Sequence, residues 1–302
     1  MSTEPGAPAG QSRTVLVTGA SSGIGRATAH LLATQRARLV LVARAEGPLE
    51  QARQECVGRG AAEVVVLPAD VSDAAAVDAV FEEALARLGH LDAVVQSAGV
   101  AAYGRFEDIP PEVFDGTIAT NVTGVANVSR AALRAFGDRG GSLVVVGSVL
   151  GKIATPYMSP YATSKWAIQG LVRTLQIEAR QRPEVQISLV TPGGVDTPIY
   201  DQAASYTGHP GSPPPPVISP ERVATTIVRA LDRPGRDLPA GAVNWLMVTG
   251  FRLLPGVYDA LVGPLMRTLG QGRASLEPTP GNVNEPIPDR EAVRGRWPHI
   301  WG

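Results

Sequence analysis

Short apolar runs alternate along most of this chain with longer stretches in which apolar residues return every three or four positions. The runs are 14–17 (TVLV), 38–43 (RLVLVA), 63–67 (EVVVL), 91–95 (LDAVV), 142–146 (SLVVV) and 184–190 (EVQISLV). Most are apolar and β-branched almost throughout, which marks strands buried on both faces of a parallel sheet. A last edge strand is expected at 237–240. The intervening stretches 26–35, 46–58, 73–88, 110–135, 160–182 and 219–231 carry the helical period. Pro160 suits a helix's first turn, and Pro183 stops the helix that follows it. Strands and helices alternate, no linker interrupts them and no repeat appears. The pattern predicts an α/β fold: one doubly wound domain over 14–241, with a parallel sheet of about seven strands and helices on both faces.

Outside this pattern lie four segments. Residues 1–13 are rich in Ala, Gly, Pro and Ser. They lack the basic start and apolar run of a signal peptide and read as a disordered leader. Residues 198–217 hold Tyr200, Tyr206, His209 and four consecutive prolines. The proline run favours a stiff extended conformation. Residues 242–269 are crowded with apolar side chains but broken by Gly250, Pro255, Gly256, Gly263 and Pro264, too often for a membrane span. Two readings of this stretch stay open. It packs over the substrate pocket and a neighbouring subunit, which is favoured, or it lies on a membrane surface as an amphipathic hairpin. Arg252 and Arg267 are thin basic support for the second. The tail from Gly270 reads as weakly structured, with Trp297, Ile300 and Trp301 able to dock it on the fold.

Composition narrows the function classes. The net charge of −1 offers nucleic acid no basic field. The single cysteine, Cys56, rules out an internal disulfide and a cysteine-cluster metal site and fits a cytoplasmic protein. The four histidines show no metal-ligand spacing, so no metal is expected.

Chemistry enters at the strand ends. The first run leads into Thr18-Gly19-Ala20-Ser21-Ser22-Gly23-Ile24-Gly25 and then a helix. Gly19 suits the tight turn, Gly23 lets the backbone approach a pyrophosphate, and Gly25 lets helix pack on strand. The helix N-terminus offers free N–H groups to phosphates. The second strand ends in Ala43-Arg44 where a carboxylate would bind ribose hydroxyls. A guanidinium there suits a 2′-phosphate, or it is simply a solvated arginine. Tyr161 and Lys165 stand four apart on one helical face. A nearby ammonium favours the phenolate, so the pair is expected to lower the tyrosine pKa from about 10 toward neutrality. Ser148, just past a central strand, faces the ligand crevice.

Together these residues resemble the short-chain dehydrogenase/reductase family, whose glycine signature is T-G-x-x-x-G-x-G. The likeness covers roughly 14–231. It implies a Rossmann-type domain and a carbonyl–alcohol oxidoreductase that uses NADP(H) in preference to NAD(H). Ser148 would orient the carbonyl, and Tyr161 would give or take the proton. Lys165 would tune Tyr161 and bind the nicotinamide ribose, and Asn121 would anchor a proton-relay water. Asp70 and Val71 would line the adenine pocket, Asp70 having a helix N-cap as its other reading. Ser97, Ala98 and Gly99, in Gln-Ser-Ala-Gly where the family has Asn-Asn-Ala-Gly, would lie close to the cofactor. Pro192, Gly193, Val195 and Thr197 match the loop that binds the nicotinamide carboxamide, and 198–217 matches the substrate lid. The implied partners are a small, apolar carbonyl or alcohol and further copies of the chain, as a homodimer or homotetramer. The alternative is a non-catalytic NADP(H)-binding sensor or scaffold on the same fold.

Overall fold

The computed structural model of the protein describes residues 12–241 and 243–298. Most of the leader, together with Ile300 and Trp301, lies outside the described residues. The apolar runs form β1 (Thr14–Thr18), β2 (Arg38–Val42), β3 (Glu63–Val66), β4 (Ala93–Gln96), β5 (Gly141–Val146) and β6 (Val185–Pro192), with β7 (Leu238–Ala240) at the edge. All seven pair in parallel, in the order β7-β6-β5-β4-β1-β2-β3. The order reverses between β1 and β4, so a crevice opens at their carboxyl ends.

The two-residue period of a strand sends neighbouring side chains to opposite faces. Val15, Val17, Leu39 and Leu41 pack on one face against α1 (Gly23–Thr34), α2 (Glu46–Gly58) and α7 (Pro220–Asp232). Leu16, Val40, Val94 and Val145 pack on the other against α3 (Ala74–Leu88), α5 (Gly124–Phe136) and α6 (Ser159–Glu178). Each buried Val or Leu contributes about 1.5–3 kcal/mol, so both faces need their helices.

The stretch 110–135 is not one uniform helix. α4 (Pro111–Ile118) and α5 are joined through a wide π-helical turn at Ala119–Thr123. Such turns form where a side chain has a better use for the local geometry than the regular ladder allows. Here that side chain is Asn121, described below.

The apolar stretch near the C-terminus forms α8 (Asn244–Leu253) and α9 (Pro255–Leu269), with Pro255 in the first turn of α9. Among the described residues no helix is long and apolar enough to cross a membrane. The tail beyond α9 has little regular structure but is firmly tied: Asn282 and Val283 are buried.

Candidate active site

The loop after β1 forms the floor of a cleft. Gly19 and Gly23 adopt φ of +65° and +50°, a region that favours glycine. A Cβ on Gly19 would sit 2.8 Å from the Ala98 backbone nitrogen, and one on Gly25 only 2.2 Å from the Gly19 carbonyl oxygen. Only glycine fits either place. The Thr18 hydroxyl bonds the Gln96 side chain and accepts from the backbone N–H groups of Ser97 (3.1 Å) and Ala98 (3.3 Å). Gln96 is buried, so it ties the ends of β1 and β4 together. Arg26 supports the loop from below. It donates to the Ser21 carbonyl at 3.1 Å and forks onto Glu55 at 2.9 and 3.0 Å.

The cleft wall contains Gly19, Ser21, Ser22, Gly23, Ile24, Arg44, Asp70, Val71, Ser97, Ala98, Gly99 and Thr197. Six residues expected to hold the cofactor do not line it: Tyr161 and Lys165, described below, and four others. Gly25 lies beneath the loop. Pro192 ends β6, Val195 pairs with Ile218 in a two-residue ribbon, and Gly193 packs against Asn244. Gly193 lines a different cavity. Asp70 accepts from the Ser72 N–H and hydroxyl, whereas Asp73 caps α3. The helix-cap reading therefore belongs to Asp73.

Ser148 follows β5 and Tyr161 stands in the first turn of α6. Both face the second cavity. The Ser148 oxygen also accepts from the Leu150 N–H at 3.2 Å. One expectation is corrected here. Burial pushes the Tyr161 phenol up to about 12, against a smaller downward pull from Ser148. The same burial pulls the Lys165 ammonium down to about 8. Lys165 Nζ sits 5.4 Å from the Tyr161 ring centre and donates to the Val146 carbonyl at 3.2 Å. Desolvation of both groups outweighs the attraction that was expected to lower the phenol.

Asn121 is fully buried. Its Oδ1 accepts from the Val100 N–H, and its Nδ2 donates to the Val100 carbonyl and the Ser164 hydroxyl, all at 2.9 Å. The π turn brings it there. Ser164 in turn donates to the Tyr161 carbonyl at 2.7 Å. A Cβ on Gly99 would lie 3.3 Å from Asn121 Oδ1 and 3.9 Å from Lys165 Nζ. Asn121 and Lys165 thus pack behind Gly99, which itself lines the cleft.

The second cavity is large, about 450 Å³, and mostly apolar. Ser148 and Tyr161 provide polar groups in its wall. Tyr200, Pro214–216 and the α8–α9 residues Leu246, Met247, Leu254, Leu261 and Met266 form much of the remainder. Residues of 244–269 therefore border the cavity, while Trp245 and Leu253 remain exposed. Residues 198–217 form a single turn (Ile199–Gln202), a ribbon of Ala204–Ser205 with Ala102–Tyr103, and the proline run. His209 stands apart, its Nδ1 bonded to the Ala274 carbonyl at 3.0 Å. Ile199 lines both cavities. Among the described residues no cluster could hold a metal ion.

The tail supplies cleft residues that sequence reasoning missed. Asn282 and Glu291 line the same wall as the glycine loop. Arg44 donates to the carbonyls of Asn282 (2.6 Å), Val283 (3.2 Å) and Asn284 (3.3 Å). These partners lie about 240 positions away and act through backbone oxygens, which leave no pattern in side-chain types.

Residues 13–206 match the short chain dehydrogenase family. The uncharacterized oxidoreductase YxnA of Bacillus subtilis is 32% identical over 256 residues, 83% of this chain and 72% of that one. Among solved structures, an alcohol dehydrogenase from Thermococcus sibiricus complexed with 5-hydroxy-NADP is 32% identical with TM-score 0.66, covering 76% of this chain and 95% of its own. A short chain dehydrogenase/reductase from Burkholderia phymatum in complex with NAD is 26% identical with TM-score 0.72, covering 84% and 96%.

Proposed function

This chain belongs to the short-chain dehydrogenase family, and from that premise we propose that it interconverts an apolar ketone and its secondary alcohol through Ser148, Tyr161 and Lys165. The family makes it a nicotinamide-dependent oxidoreductase acting on CH–OH groups. The observation that carries the finer reading is the seam between the cavities. Lys165 and Asn121 pack against Gly99, a residue of the glycine-floored cleft, while Ser148 and Tyr161 open on the apolar cavity beside it.

The cleft suits a dinucleotide. Side chains are absent where Gly19 and Gly23 turn, and the positive dipole end of α1 faces the loop, its first N–H, on Gly23, being held by the Ala292 carbonyl. Bound there, the cofactor supplies or accepts the hydride. In the reducing direction the Ser148 hydroxyl orients the carbonyl oxygen and Tyr161 donates the proton. The protonated state of Tyr161 at neutral pH suits a general acid. Lys165 stabilises the phenolate that remains, and the Asn121 turn holds the backbone that feeds protons to Lys165. In the oxidising direction the same groups run in reverse.

For the choice of cofactor, Arg44 and the lack of a carboxylate at the end of β2 support NADP(H). The two structural neighbours named above carry one cofactor of each kind, so they favour neither. The apolar wall built by α8 and α9 supports an apolar substrate. A cytoplasmic homodimer or homotetramer is the assembly this reading expects. A panel of apolar ketones with NADPH or NADH tests the proposal. Consumption of a reduced dinucleotide supports it; tight dinucleotide binding without turnover of any carbonyl would favour a nucleotide-binding sensor.

A further inference from the structure

The C-terminal segment enters the dinucleotide cleft and takes up groups that would otherwise meet a cofactor. Gly281 makes this course feasible. Its φ is +54°, and a Cβ there would lie 2.3 Å from the Gln202 carbonyl oxygen. The chain then lays three carbonyls on the Arg44 guanidinium. Further on, the Ala292 carbonyl accepts from the Gly23 N–H at 2.9 Å and the Ser22 hydroxyl at 3.2 Å. Between these contacts Glu291 lines the same cleft wall as Ser21 and Arg44. One of its oxygens is buried without a hydrogen-bond partner, as is the Asn282 side-chain oxygen.

We infer that this segment is part of the cofactor site and sets its selectivity between NADP(H) and NAD(H). The inference rests on the dinucleotide reading given above. Arg44 is the one cation expected to hold a 2′-phosphate, and the tail already uses its donors. A phosphate oxygen is a charged acceptor and binds guanidinium more strongly than a neutral carbonyl. A 2′-phosphate can therefore take Arg44 from the tail, but it gains only the difference. It must also settle near the Glu291 carboxylate, which repels it. A ribose with free hydroxyls needs neither change and can donate to Glu291 instead. The tail thus supplies the carboxylate that the end of β2 lacks and weakens the preference Arg44 would impose alone. The segment also has anchors other than Arg44. Asn282 Nδ2 donates to Gln202 Oε1 at 2.7 Å, and Trp297 N–H donates to Asp196 at 3.0 Å.

The test uses the full chain and E291Q, which keeps the length of the side chain and removes its charge. Dissociation constants for NADPH and NADH are read from the fluorescence of the reduced nicotinamide. Removing one like charge from the wall that also holds Arg44 should raise the preference for NADPH about tenfold. Amide hydrogen exchange in 282–284 of the full chain, whose carbonyls Arg44 holds, should rise with NADPH and not with NADH. An unchanged affinity ratio in E291Q, or the same exchange with both cofactors, overturns the inference while leaving dinucleotide binding intact. Failure of the full chain to bind either dinucleotide overturns both.

Discussion

Lys165 Nζ lies 5.4 Å from the centre of the Tyr161 ring and donates to the Val146 carbonyl rather than to the phenol. Burial favours the neutral form of both side chains, so at neutral pH Tyr161 rests as the phenol and not as the phenolate. The ammonium is the fragile partner. Its fraction falls as pH rises through about 8 instead of 10.5.

This fixes a pH dependence. For carbonyl reduction, kcat/KM reports groups in the free enzyme. It should be level at neutral pH and fall as pH rises through about 8, as Lys165 loses the proton that stabilises the phenolate. A profile that stays flat to pH 10.5, the ordinary lysine value, would remove Lys165 from that role.

Ser148→Ala separates orientation from proton transfer. The variant removes the hydroxyl that shares the cavity wall with Tyr161 and is proposed to hold the substrate oxygen. We expect kcat to fall by about 10²–10³-fold, the range for losing one donor to a developing oxyanion. Dinucleotide affinity should be unchanged, because Ser148 lines only the apolar cavity. Steady-state kinetics and a binding titration check the two halves.

Asn121→Ala should cost stability. It leaves the Val100 N–H, the Val100 carbonyl and the Ser164 hydroxyl without their bonds in a buried setting. An expected loss of about 2–4 kcal/mol follows from one to three unsatisfied polar groups. Denaturant unfolding measures it. A loss under about 0.5 kcal/mol, typical of surface changes, would mean the π turn is not held by this side chain.

Arg44→Ala should raise KM for NADPH far more than for NADH. It should also loosen the tail, because the guanidinium holds three carbonyls of the C-terminal segment. Equal effects on the two cofactors would show that Arg44 acts only as a tail anchor.

The sheet was legible because six apolar runs, each ending at a turn or polar change, leave little choice of fold. Gly19 and Gly23 were legible for a similar reason: they sit between a strand and a helix, where glycine has few other uses. Asn121 was named, but its wide turn was not, since that turn depends on bonds to Val100 and Ser164 far along the chain. Arg44 was read from its neighbours in sequence, whereas its partners come from the opposite end. The direction of the Tyr161 shift was missed because charge proximity can be read from a four-residue spacing and burial cannot. Gly193 and Val195 matched a loop pattern, yet strand pairing and contact with Asn244 turn them away from the cleft.

The central claim is hydride transfer to a carbonyl with Tyr161 as the proton donor. Its most direct test uses a reduced dinucleotide deuterated at the transferable position, incubated with apolar ketones, with mass spectrometry of the alcohols. The native chain should yield alcohol carrying deuterium at the carbinol carbon. Tyr161→Phe should reduce that yield by about 10²–10⁴-fold, the range for losing a general acid, while still binding the dinucleotide. Deuterated alcohol formed at equal rates by both proteins, or by neither, would contradict the account.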